Sequence, residues 1–219
     1  MNGIFWEGGA EENFIGYQLA EIYKDRVFTP VLVSKKDLTI VDLGANVGIT
    51  SNYLSQFAKK IYAVEPFSEH FLCLTKMIEF NGLGHIITPI NKAIYTKNGS
   101  FPIGGPSENK TMQSLKSETW KGGMPSEVVS CVTIDTLFDE YKIGHVDLMK
   151  IDIEGLETEI LSSVGFAKVS DQIDMIVGEL HSWAGRHPQQ LIDALEARGF
   201  DYQMTQGEAQ LFFAKKHAR

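Results

Sequence analysis

Cysteine is scarce in this chain of 219 residues: Cys73 and Cys131 are the only two, far apart in sequence. No Cys-x-x-Cys pair exists, which excludes a zinc-ribbon or disulfide-stapled scaffold. Both thiols are expected to be small buried residues in a reducing cytoplasm. Long apolar runs are missing too, and none approaches the roughly 20 residues that span a bilayer. The amino terminus has no basic stretch followed by an apolar one, so no secretory leader is read there. Runs of like charge are absent, as is any arginine–aromatic stripe. The formal net charge is −8, from 28 acidic and 20 basic residues. A surface of that sign repels a polyanion, so nucleic acid is not an expected partner. Internal repeats and low-complexity segments are also lacking.

What remains is an ordinary globular composition, 43% hydrophobic and 22% charged, in a chain long enough for one domain with a real core. Helical spacing of apolar residues marks 11–25, 46–58, 134–141, 156–164 and 188–198, and Ser68 is placed to cap a further helix that Gly82 ends. Short β-rich runs cover 39–43, 60–65, 85–94, 128–133, 146–151 and 173–180, with a closing pair at 200–203 and 210–214. Strands alternating with helices predict a mostly parallel sheet covered on both faces. In such a sheet the loops that follow the strands share one edge, and ligands bind there.

The loop after the first strand reads Val41-Asp42-Leu43-Gly44-Ala45-Asn46-Val47-Gly48. Gly44 allows a sharp turn and Gly48 a close helix–strand approach, which is the local grammar of a nucleotide site. A dinucleotide fingerprint would read Gly-x-Gly-x-x-Gly, but Asn46 stands where the second glycine should be. A pyrophosphate needs that missing glycine, whereas a phosphate-free nucleoside such as S-adenosylmethionine does not. Asp42 also suits an ammonium group better than a phosphate. Glu65 ends the second strand, 21 residues after Gly44, where a carboxylate can accept from ribose hydroxyls. Asn91 and Ala93 follow the third strand, at the expected adenine edge. A glycine turn with a helix cap would use some of the same residues; the order of strand, loop, helix, strand and terminal acid favours the cofactor site.

These residues, with Thr133-Ile134-Asp135-Thr136-Leu137, Lys150-Ile151-Asp152-Ile153-Glu154-Gly155 and Glu179-Leu180-His181, resemble the FkbM family of methyltransferases. The resemblance covers about Ile40 to His181. It implies a Rossmann-like sheet of seven strands, order 3-2-1-4-5-7-6 with the last strand antiparallel. It also implies methyl transfer from S-adenosylmethionine, usually to an oxygen of a sugar or other small molecule, while some relatives act on nitrogen in peptides. The expected organisation is one methyltransferase domain over 1–219, with a helical segment at 1–38 and an irregular, glycine- and proline-rich insertion at 97–126 that shapes the acceptor pocket.

Two loops offer chemistry. After the fourth sheet strand, Lys150, Asp152 and Glu154 alternate onto one side, and three charges beside an apolar strand are costly unless used. Asp152 and Glu154 can bind the cofactor amine, orient an acceptor hydroxyl or hold a cation; an ion pair with Lys150 is the structural alternative. After the fifth, Glu179 and His181 alternate likewise. Histidine suits the role of general base, with Glu179 orienting the imidazole or touching the cofactor. Trp183 could wall an acceptor pocket. Asp152, Glu179 and His181 have ligand chemistry, but no spacing demands a metal, and none is expected. The expected partner is a small-molecule acceptor, and an oligomer of identical chains is compatible with the sequence. Competing readings are a peptide or protein N-methyltransferase, a cofactor-holding module without turnover, and a nicotinamide dehydrogenase, against which Asn46 speaks.

Overall fold

The computed structural model describes residue 32 and residues 35–105, 114–115, 124–181, 188–205 and 210–217. The expected helix at 11–25, Trp183 and most of both the 1–38 segment and the 97–126 insertion lie outside them.

The central strands are those buried on both faces. β1 (Leu38–Leu43) is buried at every position but one, and β7 (Leu148–Ile151) at all four. Flanking them are β2 (Ala58–Val64), β3 (Ile87–Ile90), β8 (Met175–Leu180), β9 (Phe200–Met204) and β10 (Gln210–Lys216). The sheet runs β3-β2-β1-β7-β8-β10-β9. β1 pairs in parallel with β2 and β7, β2 with β3 and β7 with β8, while β10 is antiparallel to β8 and β9. This is the expected order, with β7 to β10 as sheet strands four to seven. Pro89 sits inside β3, an edge strand of the sheet, where a missing N–H is tolerated.

Neighbouring residues of the central strands point to opposite faces and build separate cores. Val41, Leu43, Met149 and Ile151 pack with Leu137 and Phe138 of α3 (Ile134–Tyr141), Ile160 and Leu161 of α4 (Glu157–Ser162), Phe166 of α5 (Val164–Val169), and Leu191 and Leu195 of α6 (Pro188–Glu196). Ile40, Ile61 and Leu148 face the other way, onto Ile49 and Leu54 of α1 (Ile49–Leu54) and Leu74 and Met77 of α2 (Ser68–Phe80). Burying one such side chain is worth about 1.5–3 kcal/mol, so the two-sided cores fix the register of the strands that carry the site loops.

Several boundaries differ from the sequence expectation for local reasons. The helix expected over 46–58 is confined to α1, because Asn46 (φ 51°) and Gly48 (φ 91°) form a left-handed turn before it and Ala58 opens β2. Ser68 does not cap α2: Phe67 takes that position, and the Ser68 N–H donates to Glu127 Oε1 at 2.8 Å. The single helix expected over 156–164 is two, because Ser163 is extended and its Oγ accepts from Phe166 N at 3.0 Å, starting α5. The run 85–94 divides, Ala93–Ile94 (β4) leaving the main sheet for a three-stranded one with β6 (Met124–Val132) and β5 (Gly99–Gly105). Most of the described part of the 97–126 segment is therefore paired strand, β5 lying antiparallel to β6. Cys131 is buried there, and burial pushes its thiol up to about 11; Cys73 is only half-buried, contrary to expectation. Among the described residues no helix is long and apolar enough to cross a membrane.

Candidate active site

The turn after β1 is built by close contact. Gly44 has φ 79°, and a Cβ there would lie 1.8 Å from the Asp152 carbonyl oxygen, so only glycine lets the two loops touch. Gly48 faces Leu74 and Met77, whose side chains a Cβ would meet at 2.7 and 2.5 Å. Asn46 holds its left-handed conformation in place: its Oδ1 accepts from Val47 N at 2.7 Å, and its own N–H donates to Glu65 Oε2 at 2.9 Å. The other Glu65 oxygen accepts from Phe67 N at 2.9 Å and lies 3.7 Å from His70 Nδ1. The carboxylate at the end of β2 thus ties the two turns of the ligand edge together. Asn91 completes that tie, its amide donating to the Glu65 and Pro66 carbonyls, each at 3.0 Å.

Beneath the glycine turn, the Lys150 ammonium donates to Gly44 O at 2.6 Å and lies 3.4 Å from Asp42 Oδ1 and 3.3 Å from Asp152 Oδ2. Asp42 also accepts from Ser51 Oγ at 2.6 Å. Burial works to strip the Lys150 charge, but the Asp152 and Asp42 carboxylates outweigh it and hold the ammonium above its ordinary range. Asp42 has no exposed surface. The sequence expectation that it meets a cofactor ammonium is corrected accordingly: its carboxylate is spent on Lys150 and Ser51. Ala93 is corrected likewise, since it is buried in β4 against Cys131 and the small sheet's core rather than open at an adenine edge.

Beside this group lies a second one. Glu157, at the first position of α4 and almost wholly buried, accepts through Oε1 from Ile153 N and Gly155 N, both at 3.1 Å, and contacts His181 Nδ1 at 2.9 Å. A carboxylate can only accept, so Nδ1 carries the hydrogen. His181 Nε2 then faces Glu154 Oε2 at 3.4 Å and Asp152 Oδ1 at 3.8 Å. Burial pulls the imidazolium down, yet the bond and charge of Glu157, with Asp152 and Glu154, push it up to about 10. Glu154 is pushed up to about 8 by burial, against the pull of His181 and with Asp152, Glu157 and Glu179 adding to the rise. The Glu157 bond and the surrounding carboxylates favour the protonated ring, which argues against the free base that its residue type suggested. The expected orienting partner is also replaced: Glu157, not Glu179, holds the ring. Glu179 is half-buried on β8, opposite Leu211 of β10.

The structure brings Asp42, Gly44, Asn46, Gly48, Glu65, Asn91, Lys150, Asp152, Glu154 and His181 to the carboxyl edge of the parallel strands. Sequence reasoning missed Glu157. Its signal was a third acid one helical turn after Glu154, which reads equally well as a helix-start charge. Thr133 and Asp135 of the Thr-x-Asp-x-Leu segment serve structure: Thr133 Oγ1 donates to Asp135 Oδ1 at 2.6 Å at the start of α3, and Lys168 of α5 donates to Asp135 at 2.6 Å.

A seven-stranded Rossmann-like sheet with this acidic edge defines a class I methyltransferase fold. Solved structures agree. A precorrin-6y C5,15-methyltransferase of Geobacter metallireducens aligns with 88% of this chain and 86% of its own, with 14% identity and a TM-score of 0.52. SMU.1697c of Streptococcus mutans, in complex with SAH, aligns with 89% of this chain and 96% of its own, with 11% identity and a TM-score of 0.56. Among curated proteins, the methyltransferase sdnD of Sordaria araneosa is 26% identical over 199 residues, covering 77% of this chain and 76% of its own. The methyltransferase FkbM domain matches residues 42–202. The chain belongs to the FkbM family and is an S-adenosylmethionine-dependent methyltransferase.

Proposed function

We propose that the chain methylates an oxygen of a sugar or other small-molecule hydroxyl. The observation that carries this reading is the pair Asp152 and Glu154, two part-exposed carboxylates held beside the glycine turn, with side chains 28% and 22% exposed. The donor set fits the methyl donor. Lys150, the cation beside the loop, is committed to Asp42, Asp152 and the Gly44 carbonyl, which leaves it unsuited to a phosphate, while carboxylates suit a cationic, phosphate-free ligand. When bound, S-adenosylmethionine supplies a methyl group already activated on a sulfonium.

The chain's own residues do the rest. Lys150 pins the Gly44 carbonyl and Asp152, fixing the loop that faces the donor. Glu65, already joined to both neighbouring turns, stands at the end of β2 to receive ribose hydroxyls. Asp152 and Glu154 hold the acceptor oxygen in line with the methyl group, and Asp152 accepts the hydroxyl's hydrogen bond and takes its proton as the carbon–oxygen bond forms. Glu157 holds the backbone at Ile153 and Gly155, on either side of Glu154, and fixes the His181 ring that faces both carboxylates.

Incubation with methyl-¹³C-labelled S-adenosylmethionine and a panel of monosaccharides, nucleotide sugars and small alcohols tests the reading. The product should carry the label on oxygen, identified by its carbon resonance. A label found on nitrogen after incubation with peptides, and on no hydroxyl compound, would replace it with the N-methyltransferase alternative.

A further inference from the structure

Two carboxylates face one imidazole nitrogen at distances that suit neither hydrogen bonds nor empty space. His181 Nε2 is 3.4 Å from Glu154 Oε2 and 3.8 Å from Asp152 Oδ1. N–H···O bonds cluster at 2.7–3.2 Å, and Glu154 Oε2 is buried without a hydrogen-bond partner. Donors sharing a tetrahedral ion at bonds of about 2.1 Å sit ~3.4 Å apart, the separation seen between His181 Nε2 and Glu154 Oε2, with Asp152 Oδ1 slightly farther from the same nitrogen. The other ring nitrogen supports the same conclusion. Nδ1 is bound to a buried carboxylate, Glu157, which is itself fixed by two backbone N–H groups. A carboxylate on the far nitrogen of a histidine is the recurrent support of a metal-bound imidazole, because it sets the tautomer and aims the second nitrogen at the ion.

Charge points the same way. Asp42, Asp152, Glu154 and Glu157 are gathered around Lys150 and His181. Lys150 is oriented toward Asp42 and Asp152 Oδ2, which leaves Asp152 Oδ1 and Glu154 for whatever sits before His181.

We propose that Asp152, Glu154 and His181 form a divalent-cation site, with His181 ligating through Nε2 and Glu157 as the positioning residue behind it. One imidazole with two carboxylates suits a borderline ion such as Mn²⁺ or Zn²⁺ rather than a soft one. Binding displaces a proton from the cluster, as metal sites do. An open coordination position would hold an acceptor oxygen; that role rests on the proposed methyl transfer to a hydroxyl, but the binding itself does not.

The test uses the full chain, stripped with chelator and titrated with Mn²⁺, the free ion being followed by electron paramagnetic resonance and Zn²⁺ serving as competitor. One Mn²⁺ per chain should bind tighter than about 1 mM. Asp152→Asn and His181→Asn should each weaken it by ~100-fold or more, and Glu154→Gln should also weaken it. Glu157→Gln should cost 10–100-fold, roughly the usual effect of losing such a support. His145→Ala, in the other histidine–aspartate cluster, should change nothing. Absence of Mn²⁺ and Zn²⁺ binding by folded wild-type protein overturns the proposal, as does binding that survives both Asp152→Asn and Glu154→Gln. Titration of the same samples with S-adenosylhomocysteine separates the two readings: a chain that binds Mn²⁺ but not this nucleoside keeps the cation site and loses the proposed function.

Discussion

At the amino edge of the sheet, His145 lies 3.2 Å from Asp174 and 3.7 Å from Asp147, with 58% of its side chain exposed. At the carboxyl edge, His181 lies among Glu157, Glu154 and Asp152 with 9% exposed. The residue types are the same, but the physics is not. Around His145 a cleft of about 360 Å³ is lined by Lys35, Lys215 and Lys216 as well as Asp171 and Asp174, so its charges are balanced and bathed in water. Exposed pairs of that kind contribute little. Around His181 one carboxylate, Glu157, is wholly out of water and held by two backbone N–H groups, Asp152 and Glu154 are drawn partly out of it, and one lysine matches the group. Groups arranged at that cost are where function is expected.

The contrast can be broken most severely at Lys150. Lys150→Met leaves Asp42 buried without its cation, and loss of one partner of a buried pair costs about 3–5 kcal/mol. Chemical denaturation should show that loss, and Asp42→Asn added to Lys150→Met should restore part of it; a single variant as stable as wild type would show that the pair holds nothing together. Gly44→Ala comes next. Its Cβ overlaps the Asp152 carbonyl oxygen and its φ is 79°, so a loss of at least about 2 kcal/mol is expected, together with weakened cofactor binding by calorimetry. Unchanged binding would mean that the two loops need not touch.

A smaller effect comes from Asp135, whose carboxyl is held below its ordinary value by the bond from Lys168, then that from Thr133. A carboxylate depressed in the folded state adds stability above its unfolded pKa and loses it as pH falls through the folded value. Melting temperatures from pH 6 downward should therefore fall less steeply for Asp135→Asn than for wild type, and parallel curves would remove the linkage. His145→Ala should be nearly silent, within about 0.5 kcal/mol and with unchanged cofactor affinity. A marked effect there would erase the distinction between the edges.

Much of this was legible in the sequence because it depends on chain-local rules. The order of strands and helices, the glycines of the first turn and the acid ending β2 all sit where periodicity and spacing put them. Helix α3 falls on its expected residues because Ile134, Leu137 and Phe138 repeat at helical spacing. Other features depend on contacts made across the fold. Asp42 reads as a ligand residue until the structure shows Lys150, on the neighbouring strand, consuming it. Ala93 follows the third strand in sequence but leaves for the second sheet. Glu157 is silent in sequence, since its importance comes from His181, 24 residues away. Ser163 ends one helix and starts another through a single hydroxyl, which apolar periodicity does not register.

The central claim is that the turn from Gly44 to Gly48 and the acid at Glu65 hold a phosphate-free nucleoside. Isothermal titration with S-adenosylhomocysteine, with NAD as control, tests it directly. The account predicts micromolar or tighter binding, roughly −8 kcal/mol, and no heat from NAD. Binding of NAD, or no binding of S-adenosylhomocysteine by folded protein, would contradict it.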